Sequence, residues 1–196
     1  MKRFDTIMRI AATLPLAVGA TLLNGCIPLA ITGVVATAQI ATDRRTTGAQ
    51  LDDEVIEDKA IAQISDRLKS DIHVNVTSYN GIALLTGEVP TEPSKNEVTQ
   101  IVRSMPKVRI AQNELVVGPT TSLSARTNDT VITSKVKSRF VEAHSKFQIN
   151  HVKVVTERSV VYLMGIVRRD EGDAATEIAR TTSGVERVVK VFEYIS

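Results

Sequence analysis

The chain has 196 residues, 43% hydrophobic and 23% charged, with 4% aromatics and no Trp. That suffices for one ordinary domain or two small ones, with a core resting on Val, Ile, Leu and Ala. Of the 24 basic and 22 acidic side chains, Lys2, Arg3, Arg9 and Asp5 fall within residues 1–25, so the remainder carries no net charge. The bulk balance therefore gives no argument for a nucleic-acid partner.

The N-terminus reads as an export signal: a basic stretch, an apolar run from Ile10 to Leu23, and Gly25 before Cys26, the single cysteine. Leu23-Asn24-Gly25-Cys26 resembles the lipobox of bacterial lipoproteins, although Asn24 stands where a small or β-branched residue is expected. The resemblance implies cleavage after residue 25 and lipidation of Cys26. A lone cysteine cannot form an intrachain disulfide, and lipidation accounts for it. The competing reading is an ordinary signal peptide with an incidental cysteine. No charge occurs between Ile10 and Thr42, but Pro15 and Pro28 make that run a poor membrane span. Residues 1–25 are read as signal peptide and 26–50 as a lipidated tether, extended over Asp43 to Gln50.

Beyond Gln50 the sequence repeats itself, which outranks local motifs in choosing a fold. Asp53 to Leu68 predicts an amphipathic helix with Ala60, Ile61, Ile64 and Leu68 inward, capped by Asp52 and Asp53. Val74 and Val76 mark a strand, Asn80-Gly81 a hairpin turn, and Ile82 to Val89 the return strand. Gly87 within that strand suggests a bulge or a close backbone approach. Pro93 opens a second helix facing inward through Val98, Ile101, Val102 and Met105, and Val108 to Val117 forms a third strand. In the second copy Asn128-Asp129 caps a helix bearing Ile132, Val136 and Phe140. Its strands follow at an offset of 78 (Val74 to Val152), its second helix carries Ile178 and Ala179, and Val185 to Ile195 closes it. Aligning Ala60 with Ile132 makes the connection after the first helix six residues longer in the second copy. The expected fold is α+β: two tandem α-β-β-α-β modules, each a three-stranded mixed sheet covered by two helices. They span residues 51–117 and 128–196, with 118–127 as linker.

That order, with Leu85-Thr86-Gly87, Leu163-Met164-Gly165 and Ser183-Gly184-Val185, resembles the BON domain. A lipobox followed by two such domains is similar to the dual-BON outer-membrane lipoproteins. Asn128-Asp129-Thr130, Val152 to Glu157 and Ala41-Thr42-Asp43-Arg44 look like stretches of that family. The resemblance implies a protein facing the periplasm from the inner leaflet of the outer membrane. It further implies binding to anionic phospholipid, placement at the division site, and support of envelope integrity and β-barrel assembly. Ile27 after the cysteine, instead of an inner-membrane-retaining Asp, agrees with outer-membrane sorting.

No Gly-x-Ser-x-Gly elbow or Gly-rich phosphate loop occurs, and His73, His144 and His151 lack Cys or His partners at metal-ligand spacing. His144 and His151 are read as surface residues and Asp52-Asp53-Glu54 as a helix start. The expectation is a non-enzyme with no cofactor and no metal. Residues 51–118 carry seven basic and eleven acidic side chains, whereas residues 126–196 carry twelve and nine. Lys135, Lys137 and Arg139 cluster on the first helix of the second module. The family resemblance makes that helix the phospholipid contact, with Val131 where the family often presents Trp. The alternative function is a protein-binding adaptor for envelope or β-barrel assembly machinery, with the lipid serving only as anchor.

Overall fold

The computed structural model describes residues 43–68, 72–143 and 148–196. The first module runs α1 (Thr47–Leu68), β1 (His73–Tyr79), β2 (Ile82–Val89), α2 (Glu92–Arg103), β3 (Ile110–Asn113) and β4 (Val116–Val117). The second runs α3 (Leu123–Glu142), β5 (Val152–Glu157), β6 (Val160–Val167), α4 (Arg169–Arg180) and β7 (Arg187–Tyr194). A 3-10 turn, Ile149–His151, precedes β5. Each sheet has its hairpin return strand in the centre, antiparallel to the first strand and parallel to the last. The α+β order and mixed sheets are those expected from the repeat.

Helix phase in the second copy is as read, since Ile132, Val136 and Phe140 are buried. In the first copy the stripe is Asp53, Ile56, Ala60 and Ile64, and Ile61 lies 49% exposed. Both helices therefore bury an acid followed by apolar residues at spacings of three, four and four, and they align as Asp53 with Asp129. These aspartates are not caps. Asp53 accepts hydrogen bonds from the Asn80 and Gly81 amides (2.7 and 2.9 Å) and from the Ser78 hydroxyl (2.6 Å). Asp129 accepts from the Arg158 and Ser159 amides (2.9 and 2.8 Å). The turn amide lies 27 residues beyond the acid in one copy and 29 in the other, so the longer connection gains two residues, not six.

Helix starts move accordingly. Thr46 accepts from the Ala49 amide at the head of α1, so Thr47 to Gln50 are helical, not extended. Ser122 caps α3 through the Ala125 amide, which carries the helix into the stretch expected as linker. The third strand of the first module is broken: Asn113 Oδ1 takes the Leu115 amide, and Leu115 turns into the core between β3 and β4. At Gly87 the close approach is confirmed, because a Cβ would stand 1.9 Å from the His73 carbonyl oxygen. Gly165 repeats it against His151 at 2.1 Å. His151 is buried, contrary to the surface position expected, because the 3-10 turn folds it under the second module; His144 lies outside the described residues.

Each sheet covers its own helices with one face and meets the other sheet with the opposite face. Ile56, Ala60, Ile64, Val98 and Val102 fill the first interior, and Ile132, Val136, Phe140, Ala175 and Ile178 the second. Between the sheets, Tyr79, Ile82 and Leu84 pack with Tyr162, Met164 and Ile166. Side chains of this size contribute about 1.5–3 kcal/mol each on full burial. This third layer explains why β2 is buried along its whole length and β6 along nearly all of it.

Candidate functional site

On α3, a residue every 100° sets Leu123, Val131 and Val141 along the solvent side, 78%, 45% and 58% exposed. Exposed Thr127, Ser134 and Ser138 lie between them on the same face, and Lys135 and Lys137, also exposed, stand on either side. Arg139 is set apart from them. Its Nη1 donates to the Ile178 carbonyl (2.8 Å) and to the Thr181 and Thr182 hydroxyls (3.0 and 2.8 Å) at the C-terminal end of α4. A cation there satisfies helix carbonyls and the dipole, so Arg139 joins two helices of its own module. The solvent face of α3 is therefore mixed: three separated apolar side chains among hydroxyls, with two lysines at its margins. Cys26, the expected signal peptide and the tether up to residue 42 lie outside the described residues.

The stretch leading into α1 is tied to both modules. Arg44 makes a two-pronged ion pair with Glu171 of α4 (2.6 and 2.9 Å) and donates to the Ile166 carbonyl. Arg45 bonds Asp53 of α1 at 2.8 Å and lies 4.0 Å over the Tyr79 ring. Burial raises the Tyr79 phenol to about 12. Burial also acts to raise Glu171, but Arg44, the Arg168 amide and the Arg168 charge outweigh it and hold its carboxyl below the usual range. No local pattern around Asp43-Arg44-Arg45 announces partners more than a hundred residues away.

A second polar cluster lies where the modules meet. His73 and Glu88 face each other across β1 and β2, and Glu157 comes from the end of β5. His73 Nδ1 is 3.0 Å from Glu88 Oε2 and 3.8 Å from Glu157 Oε1. Burial raises Glu88, yet the Thr121 amide, His73 and Arg158 bond its charged form and leave it below its ordinary value. Glu157 goes the other way: burial pushes it up, reinforced by the charges of Glu88 and Asp129. A cleft of about 250 Å³, lined by His73, Asn75, Asp129 and Glu157 among others, opens the cluster to solvent. Histidine spacing alone could not reveal this group, because a sheet pairing and a module interface assemble it. Among the described residues no helix is long and apolar enough to cross a membrane.

The BON domain family matches this chain twice, over residues 52–119 and 128–196. Outer membrane lipoprotein DolP of Haemophilus influenzae is 39% identical over 186 residues, covering 93% of this chain and 95% of that protein. The 21 kDa hemolysin of Actinobacillus pleuropneumoniae is 34% identical over 78% of this chain and 79% of its own. Osmotically-inducible protein Y of Escherichia coli is 26% identical, with 76% of each chain covered. Paired modules and near full-length similarity to a lipoprotein agree, and the chain belongs to the BON domain family as a two-module outer-membrane lipoprotein.

Proposed function

We propose that the protein, anchored by lipid at Cys26, lays the solvent face of α3 on anionic phospholipid of the inner leaflet and thereby supports outer-membrane integrity at the division site. Its activity is binding and not catalysis. The observation that carries this reading is the exposure of Leu123, Val131 and Val141 on one face of α3 with Lys135 and Lys137 beside them. Apolar side chains on a face edged by lysines suit an interface where chains take up apolar groups and headgroups take up charge. Val131 has no polar ring edge to hold it at headgroup depth, so insertion is shallow and charge carries more of the binding. Each lysine near an anionic surface contributes about 1 kcal/mol, screened over about 8 Å at physiological salt. Arg139, bonded to α4, acts by holding α3 in place.

Flotation of a soluble form beginning at Asp43 with phosphatidylglycerol-containing vesicles tests this. Binding is expected to be weak and salt-sensitive, to drop at least about tenfold in the Lys135→Glu, Lys137→Glu double variant, and to strengthen in Val131→Trp. Binding that ignores both salt and the double variant would overturn the reading and favour the adaptor function, in which a protein partner docks.

A further inference from the structure

We propose that His73, Glu88 and Glu157 form a site for a divalent transition cation of the zinc class, which fastens the two modules together. The three donor atoms, His73 Nδ1, Glu88 Oε2 and Glu157 Oε1, all lie within 4.8 Å of one another. Tetrahedral bonds of about 2.0–2.1 Å place neighbouring ligand atoms a little over 3 Å apart. The nitrogen-to-oxygen separations of 3.0 and 3.8 Å bracket that spacing, and the two carboxylate oxygens lie within 4.8 Å of each other. An imidazole with two carboxylates suits zinc better than calcium or magnesium, which prefer more oxygens. The cleft lined by His73 and Glu157 gives water access to the cluster.

The surroundings have the layout of an outer shell. Arg158 Nη1 reaches Glu88 Oε1 at 3.4 Å, leaving Oε2 turned inward, where the Thr121 amide and hydroxyl also hold it (3.1 and 3.3 Å). Asn75 Nδ2 donates to Glu157 Oε2 at 2.9 Å and lies 3.3 Å from His73 Nε2. The Arg158 and Thr121 bonds orient Glu88 before an ion arrives, whereas those of Asn75 rearrange. Metal on Nδ1 leaves the imidazole proton on Nε2. The Asn75 amide then turns to accept it, and Glu157 Oε2 is freed to join Oε1 on the ion. The side chains of Glu88 and Glu157 are 0% and 6% exposed, and an ion between them would add to Arg158 in offsetting the repulsion of two buried carboxylates. His73 and Glu88 belong to the first module and Glu157 to the second, so the site exists only while the sheets are packed.

The test uses the full-length lipoprotein in detergent, stripped with EDTA and titrated calorimetrically with zinc, magnesium or calcium chloride. One zinc per chain is expected, with a melting temperature that climbs with free zinc, and no response to magnesium or calcium. His73→Gln and Glu157→Gln should each abolish the zinc-dependent shift. Glu157→Gln retains an acceptor for Asn75 and removes one of two facing charges, so in EDTA it should melt no lower than wild type, which separates lost binding from lost folding. Absence of stoichiometric zinc binding, or an unchanged shift in both variants, overturns the site. A proton filling the role instead would appear as no zinc binding, with Glu157→Gln already stabilised in EDTA.

Discussion

Beneath the first hairpin α1 carries Asp53, Ile56, Ala60 and Ile64, and beneath the second α3 carries Asp129, Ile132, Val136 and Phe140. The acid reaches the hairpin turn in both, and the apolar residues fill the same places with different volumes: Val for Ala and Phe for Ile. Outside, the two helices part company. Both expose three apolar side chains, Leu51, Val55 and Ile61 on α1 and Leu123, Val131 and Val141 on α3, but those of α1 stand among Asp52, Glu54 and Asp58 and those of α3 beside Lys135 and Lys137. The face that meets the helices and the face that meets the other sheet are both constrained. Only the solvent side of each helix was free to diverge, so a surface for lipid can belong to one module alone.

The interiors can be compared by truncation. Phe140→Ala should cost about 3–5 kcal/mol and Ile64→Ala about 2–5 kcal/mol, the larger cavity forming in the second module. Because Tyr79, Ile82 and Leu84 pack with Tyr162, Met164 and Ile166, both losses should shift one cooperative denaturation curve. Two separated transitions in Phe140→Ala would mean that the modules fold independently, and would break the three-layer account.

Next in size are the turn acids. Charge-assisted hydrogen bonds are worth about 1.5–3 kcal/mol, so Asp53→Asn and Asp129→Asn should each lower unfolding free energy by about 2–3 kcal/mol. The Asp53 change should be the greater, because Asp53 also holds the Ser78 hydroxyl and Arg45. Amide exchange at Arg158 and Ser159 should accelerate only in Asp129→Asn. Equal exchange in both variants would show that α3 does not pin its turn.

Arg44 and Arg45 divide their bonds between modules, Arg44 to Glu171 in the second and Arg45 to Asp53 in the first. Glu171 keeps Arg168 when Arg44 is lost, so Arg44→Gln should cost about 1–2 kcal/mol in urea denaturation at neutral pH. The carboxyl of Glu171 is depressed in the folded protein. Its stabilisation is therefore present above the unfolded carboxylate pKa, about 4.3. It is lost as pH falls through the lower folded value. The gap between wild type and Arg44→Gln should accordingly close on acidification below about pH 4. A gap that widens there would give the ion pair the wrong sign.

The repeat itself, its sheet order and the Phe140 stripe were legible because period and spacing are local signals. Helix phase in the first module failed at Ile61, since Ala60 and Ile61 compete for one inward place and the smaller residue took it beneath the sheet. Asp53 and Asp129 looked like caps because a cap and a turn lock both put an acid before an apolar stripe; burial alone separates them. On the α3 surface Lys135, Lys137 and Val131 sit where helical spacing put them. Arg139 could not be distinguished from the other basic residues until α4 supplied carbonyls opposite it. The Arg44 pairing and the group of His73, Glu88 and Glu157 depend on contacts between modules, for which the sequence has no period.

The smallest effect concerns the turns that those aspartates hold. Asn80 and Gly81 have φ of 52° and 74°, and Arg158 and Ser159 have φ of 53° and 61°, so both hairpins make the same left-handed pair. Asn-Gly suits that geometry, whereas Arg-Ser does not, and its place depends on Asp129 gripping both amides. A side chain in the left-handed region costs about 1–2 kcal/mol, while glycine costs about 0.5–1 kcal/mol in unfolded-state freedom. Ser159→Gly should therefore stabilise by about 0.5–1 kcal/mol in thermal or urea unfolding, as the difference of those two figures. Gly81→Ala runs the opposite way for two reasons, since it takes on the φ penalty and sets a Cβ 2.7 Å from the Lys107 carbonyl oxygen. If Ser159→Gly destabilises instead, the serine side chain is contributing contacts that outweigh its backbone cost, and the two turns are not equivalent.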